Sequence, residues 1–249
     1  MLRPVTATAG VVLAPNPGPM TLEGTNTWVL RAADSESCVV VDPGPLIEGH
    51  LVEVARHGPV AAVLLTHGHP DHSEGARRFA ELTGAPVRSL DPAHRLGDEG
   101  LVDGDVVAAA GLELRVLGTP GHSSDSLSFV LEDAVLTGDT VLGRGTTVVA
   151  HPDGVLGDYL TSLRRLRELG DRTVLPGHGP ELEHAGVAAE HYLAHREARL
   201  DQVRAAVAAG ATTPQQVVET VYADVDRVLW PAATMSVRAQ LAYLQGSQP

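Results

Sequence analysis

The segment Thr66-His67-Gly68-His69-Pro70-Asp71-His72 gathers three imidazoles and a carboxylate into six residues, directly after the apolar run Ala61-Ala62-Val63-Leu64-Leu65. In extended backbone, side chains two residues apart point the same way, so His67 and His69 can converge on one ion. Asp71 and His72 follow where the chain must turn, which lets them face a second ion beside the first. Nitrogen and oxygen ligands of this kind suit zinc, and also iron or manganese. A lone His-x-His arises readily by chance. Four ligand-type residues in this order at a strand end are a strong signal of metal chemistry.

Four more motifs sit at predicted strand ends. Thr119-Pro120-Gly121-His122-Ser123 follows Leu112–Leu117, and Thr137-Gly138-Asp139-Thr140 follows Val135-Leu136. Leu175-Pro176-Gly177-His178-Gly179 follows Thr173-Val174, and Asp42 ends Val39-Val40-Val41. Each puts a ligand-type residue just past an apolar run, with glycine nearby in three of them to permit close backbone approach. Loops at one end of a sheet are where α/β folds commonly build sites, so these ends are expected to meet in one pocket.

The elements that must position them read as follows. Strands are predicted over Thr27–Arg31, Val39–Asp42, Val63–Thr66, Leu112–Gly118, Leu127–Leu131, Val135–Thr137 and Thr173–Leu175. Helices are predicted over Ile47–His57, Ser73–Leu82, Tyr159–Leu169 and Val187–Ala209. The apolar run before Pro15 reads as a first strand. The pattern is α/β with much antiparallel pairing, not a strict βαβ repeat. Beyond Pro180 the chain turns helical, with further helices over Thr213–Tyr222 and Ala233–Leu244 and a polar tail, Gln245–Pro249, expected to fray. A boundary near 185 divides a site-bearing domain, residues 1–184, from a helical one, residues 185–249.

Composition narrows the chemistry. All 18 basic residues are arginine, so Schiff-base lysines, lysine bases and carbamylated-lysine metal bridges are excluded. A net charge of −13 argues against a dedicated binder of long nucleic acid. No apolar run approaches the roughly 20 residues of a membrane span, and the N-terminus makes a poor signal peptide, so a cytoplasmic protein with no membrane partner is expected. The single cysteine, Cys38, reads as a buried strand residue.

The order His-x-His-x-Asp-His, then a distant His, Asp and His, resembles the metallo-β-lactamase fold superfamily of binuclear hydrolases over roughly residues 11–184. Within it, Asn16-Pro17-Gly18-Pro19-Met20-Thr21-Leu22-Glu23-Gly24-Thr25-Asn26-Thr27 is similar to the N-terminal signature of the β-lactamase-like protein 2 family. Gly143-Arg144-Gly145-Thr146-Thr147-Val148 and His195-Arg196-Glu197-Ala198-Arg199 are similar to it as well. The resemblance implies an αβ/βα four-layer sandwich with a small C-terminal helical, winged-helix-like domain, and the sequence ends at Leu244–Pro249 where that family continues into a wing. It implies two divalent metal ions, zinc foremost with iron or manganese as alternatives. His67, His69 and His122 would hold the first ion, Asp71, His72 and His178 the second, and Asp139 would bridge them.

In that scheme a hydroxide shared by the ions attacks the substrate, Asp71 orients it, and Asp42 accepts an imidazole N–H to fix a ligand tautomer. A structural zinc site is normally closed by four ligands; seven leave room for water and argue for catalysis. His195, Arg196 and Arg199 are candidates for substrate contact, the two arginines lying one turn apart and able to meet an anionic group together. His50, His57, His94, His151, His184 and His191 have no motif context, and most of them are expected at solvated positions. The first functional reading is hydrolysis of a small ester or thioester, similar to glyoxalase II, with a small-molecule acyl substrate. The alternatives are a single-strand-specific endoribonuclease acting on single-stranded RNA and a non-enzymatic interaction module.

Overall fold

The computed structural model describes residues 1–246. Two mixed sheets face each other, built from the short β-branched runs of the sequence. The first has the order β1 (Arg3–Pro4), β2 (Ala9–Leu13), β3 (Asn26–Leu30), β4 (Cys38–Val41), β5 (Val60–Leu64) and β6 (Val87–Arg88). The second runs from β7 (Val106–Ala109) through β8 (Leu112–Gly118), β9 (Leu127–Val130) and β10 (Ala134–Gly138) to β11 (Thr173–Pro176). Pairing is parallel for β4–β5, β5–β6 and β10–β11 and antiparallel elsewhere.

Strand periodicity sorts the side chains into layers. In β4, Val39 and Val41 face inward to the core between the sheets, with Trp28, Leu64, Leu114, Phe129 and Leu136. Cys38 and Val40 face outward, with Leu51 and Phe79. These outward residues meet α1 (Glu48–Ala55) and α3 (Ala76–Thr83). The outer face of the second sheet packs Val130, Val135 and Val174 against α4 (Leu156–Arg167) and α5 (Ala185–Ala208). The result is the αβ/βα sandwich expected. Beyond it, α6 (Pro214–Val221) and α7 (Trp230–Gly246) pack on the distal half of α5 around Val203, Val218 and Val237. Thr213 and Gln216 form a reciprocal capping box at the start of α6, where Pro214 stands at a position that needs no N–H donor. Thus α5 belongs to two apolar cores at once.

The helix predicted over Ser73–Leu82 is instead two, α2 (Pro70–Ser73) and α3. The break lies at Glu74-Gly75, where the Gly75 N–H donates to Gly44 O at 2.9 Å and a Cβ would stand 2.7 Å from that oxygen. Close backbone contact to the Asp42–Pro45 loop therefore outweighs helical continuity. β6 and β7 lack a strong sequence signal because both are short and lie at a sheet edge. The C-terminal helix extends to Gly246, so Gln245 and Gly246 are helical where fraying was expected, and the rest of that expectation lies outside the described residues. No helix among the described residues is long and apolar enough to cross a membrane.

Candidate metal centre

Every candidate ligand lies just beyond the C-terminal end of a strand, which is how distant motifs come to share a site. β5 leads into Thr66–His72, β8 precedes His122, β10 precedes Asp139, and β11 precedes His178. β3 joins the sheets at this end: Asn26 Nδ2 donates to Pro176 O (3.0 Å) and Gly179 O (2.8 Å), and Trp28 Nε1 donates to Pro176 O (3.0 Å).

Two groups of inward-facing atoms result. His67 Nε2 and His122 Nε2 each lie 3.0 Å from His69 Nδ1. His72 Nε2 lies 3.3 Å from both His178 Nε2 and Asp71 Oδ2, and His178 Nε2 is 3.2 Å from Asp71 Oδ2. Asp139 stands between the groups, with Oδ1 3.4 Å from His72 Nε2 and Oδ2 3.7 Å from His122 Nε2 and 3.4 Å from His178 Nε2. His67, His72, His122 and His178 are buried, while Asp71 and His69 are partly open to solvent.

The surroundings fix which nitrogen of each buried ring faces inward. Asp42 accepts from Thr66 N (2.7 Å), Thr66 Oγ1 (2.6 Å) and His72 Nδ1 (2.8 Å). With its proton committed to Asp42, the Thr66 hydroxyl accepts from His67 Nδ1 at 3.0 Å. His122 Nδ1 donates to Val148 O (2.7 Å) and His178 Nδ1 to Gly24 O (3.1 Å). Because each of these contacts engages Nδ1, the Nε2 atoms of four rings are turned toward one another, an arrangement suited to a cation between them.

Several features of the site fit divalent ions. Tetrahedral ligands at about 2.05 Å from zinc are about 3.3 Å apart, close to the spacings within each group. Asp139 Oδ1 is buried with no hydrogen-bond partner. Gly177 keeps the space open, since a Cβ there would lie 2.4 Å from Asp139 Oδ1 and 2.7 Å from His72 Cε1. Burial, followed by the charges of neighbouring histidines, holds His67 well below the usual imidazole range, and burial also lowers His122. For His72 and His178, burial opposes the proton but the surrounding carboxylates, Asp139 foremost, outweigh it; His178 is raised to about 9. Asp71 and Asp139 stay ionised because the histidine charges and hydrogen bonds outweigh the opposing effect of burial.

Three supporting residues carry no sequence assignment beyond their place in a motif. Thr66 couples Asp42 to His67, as above. Thr25 Oγ1 donates to Asp71 Oδ2 at 3.0 Å. Asn16 holds Thr25, its Nδ2 donating to Thr25 Oγ1 (3.0 Å) and its Oδ1 accepting from Thr25 N (2.9 Å). The Asn16–Thr27 stretch pointed to these residues, but their partner Asp71 is far away in sequence. Asp42 itself adopts a left-handed φ of 52°, a conformation that Asp enters more readily than most residues. His50 departs from its expected solvated position: it is buried, with Nε2 2.9 Å from Thr27 Oγ1 beneath the Asp42–Pro45 loop.

A cavity of about 360 Å³ opens from His122 and Asp139 toward α5, α7 and the loop around Thr147. His195, Arg196 and Arg199 all line it. The two arginines do not form a single clamp. Arg196 is 4% exposed, donates to Thr147 O and sits 5.1 Å from the Tyr159 ring centre. Arg199 donates to Val221 O (2.6 Å) and lies over Tyr222. Neither has a carboxylate within ion-pair distance among the described residues. Arg196 Nε and His195 Nδ1 are buried without hydrogen-bond partners. Burial, then the charges of Arg196 and Arg199, lowers His195 to about 4, so its ring is neutral near pH 7.

Comparison with known proteins places these features in a family. The profile of the metallo-beta-lactamase superfamily matches residues 20–178, and that of the beta-lactamase associated winged helix domain matches residues 213–246. An atrochrysone carboxyl ACP thioesterase of Aspergillus fumigatus is 35% identical, over 85% of this chain and 72% of its own length. A beta-lactamase-like protein 2 homolog of Caenorhabditis elegans is 31% identical, over 94% of this chain and 82% of its own. A metallo-beta-lactamase family protein of Thermus thermophilus superposes with a TM-score of 0.80 at 25% identity, covering 96% of this chain and 93% of that one. The first profile spans most of the chain and contains every loop that carries a candidate ligand. The chain therefore belongs to the metallo-β-lactamase superfamily and is a metal-dependent hydrolase.

Proposed function

We propose that this hydrolase cleaves acyl thioesters with two divalent ions, zinc foremost and iron or manganese as alternatives that suit the same donors. His67, His69 and His122 would hold one ion, Asp71, His72 and His178 the other, with Asp139 shared between them. When bound, the ions supply Lewis acidity and a water whose pKa is lowered to roughly 7 in favourable zinc sites. Asp42 and Thr66 engage the Nδ1 atoms of His72 and His67 and so turn the Nε2 of each ring toward the ion, and Thr25 fixes the Asp71 carboxylate.

The observation that favours a thioester is the lining of the cavity. Among the described residues, Asp139, a candidate ligand, is the only carboxylate of the lining, and His195 is neutral near pH 7. No free carboxylic acid or imidazolium among those residues stands ready to protonate a departing group. A thiol, with a pKa of roughly 8.5 for cysteine, leaves as its anion far more readily than an alcohol. The thioesterase name of the Aspergillus fumigatus relative agrees with this. Single-stranded RNA is the competing substrate, and the net charge of −13 and the scarcity of aromatic rings for base stacking in the cavity lining weigh against it.

The test is turnover of metal-loaded protein on an acyl-thioester panel and on a short single-stranded RNA, with Asp71→Ala as control. Thioester hydrolysis lost in the variant supports the proposal. RNA cleavage alone, also lost in the variant, overturns it.

A further inference from the structure

We propose that the C-terminal helices act as a size filter for the acyl group, with Ala232 and Ala233 of α7 as the floor of a chamber that takes a ring-sized, largely apolar acyl chain. This rests on the hydrolase reading above and deepens it.

The cavity lining brings unlike groups together: His122 and Asp139 of the metal centre, and Ala232 and Ala233, each 8% exposed, with Leu229 and Val225. Its volume of about 360 Å³ gives room for a group on the order of ten heavy atoms. An acetyl group would leave most of that apolar space to water. Of the two sides of a thioester, only the acyl side ends within such a space, because a carrier thiol on its long polar arm must keep a path to solvent. The chamber therefore suits the acyl side.

Two buried polar atoms of the residues around the chamber have no hydrogen-bond partner. Arg196 is more than nine-tenths buried, and its Nε has no acceptor; His195 Nδ1 is likewise unpartnered. Both residues line the chamber. A ring-sized acyl group would lay its apolar face on the α7 alanines. The small side chains at 232 and 233 set how far the group can enter. A leucine at either position would fill the space the ring needs.

The experiment uses the metal-loaded, full-length protein and two readouts. Calorimetry measures binding of benzoate and acetate, the product acids. Kinetics measures kcat/KM for benzoyl and acetyl thioesters of one thiol. Wild type is expected to favour the benzoyl series in both. In Ala233→Leu and Ala232→Leu, the benzoyl-to-acetyl ratio should fall by about tenfold or more. Leu229→Ala should shift preference the opposite way, toward a two-ring naphthoyl group, and this enlarging variant carries the test if a leucine variant fails to fold.

Ratios unchanged in the folded variants overturn the filter, as does a wild type that favours the acetyl series. Thioester turnover without size discrimination removes the filter and leaves the thioesterase reading in place. Benzoate binding that follows the floor variants, in a protein that cleaves no thioester, keeps the filter and removes that reading. A protein that neither cleaves thioesters nor binds benzoate overturns both.

Discussion

Replacing Asp42 with asparagine should weaken one metal position and spare the other. Asp42 accepts three hydrogen bonds, from Thr66 N, Thr66 Oγ1 and His72 Nδ1. Asparagine keeps its shape and also tolerates the left-handed φ, so the backbone can remain in place. An amide offers one oxygen and one NH₂ group where the carboxylate offered two oxygens. If the oxygen keeps Thr66 N–H, the NH₂ group faces Thr66 Oγ1 and His72 Nδ1. Thr66 can accept that proton and still accept from His67. His72 must turn a lone pair outward at Nδ1 and carry its proton on Nε2, the atom that faces Asp71 and His178. Loss of an oriented partner behind a metal-binding histidine typically lowers affinity by about 10- to 100-fold, or about 1.4 to 2.7 kcal/mol. Competition with a chromogenic chelator would resolve two binding steps: the step from Asp71, His72 and His178 should move, and that from His67, His69 and His122 should not. An Asp42→Asn protein with both steps at wild-type affinity would refute the tautomer argument. Equal weakening of both would show that Asp42 acts on the loop as a whole.

Other perturbations test the rest of the site. Thr25→Val removes the donor to Asp71 Oδ2; turnover should fall by roughly tenfold, with a melting temperature within about 4 °C of wild type. Gly177→Ala places a Cβ against Asp139 and His72, and should cost about 100-fold in turnover, with lowered metal content by elemental analysis and retained helix and strand signals by circular dichroism. His195 has a folded pKa of about 4 against an unfolded value of 6.5, so between those values the unfolded chain binds the extra proton. Its contribution should destabilise the fold as pH drops from 6.5 toward 4 and be constant above. Denaturant titrations of the metal-free protein should therefore show a shallower loss of stability from pH 7 to pH 5 in His195→Gln than in wild type.

The sequence revealed the candidate ligands because each follows a short apolar strand, and two sheets that share a core bring such ends together. Their supports were harder to see. Asn16 and Thr25 sit in a conspicuous turn-rich stretch, yet nothing local shows that Thr25 reaches Asp71. His50 looked like a surface helix residue because its apolar surroundings come from the Asp42–Pro45 loop and β3, distant in sequence. The break between α2 and α3 was hidden for a similar reason, since Gly75 is chosen by contact with Gly44 and helical periodicity continues across it. The arginines of α5 were expected to form one anion clamp. Their spacing allows it, but Tyr159 and Thr147 hold Arg196 while Tyr222 and Val221 hold Arg199, partners that spacing along a helix does not indicate.

The membership of α5 in two cores bears on how this protein can recombine. The candidate ligands all precede residue 180, while His195, Arg196, Arg199 and the alanines of α7 follow it, so exchanging the C-terminal part is the direct way to graft a new chamber onto an old reaction centre. A crossover inside α5 would join a proximal half matched to α4 with a distal half matched to foreign helices. The junction that keeps each apolar face with its own partner lies in neither half of the helix. Chimeras that carry α5 whole must also inherit or repack the face against α4, which ties changes in the chamber to compensating changes on the outer surface of the second sheet.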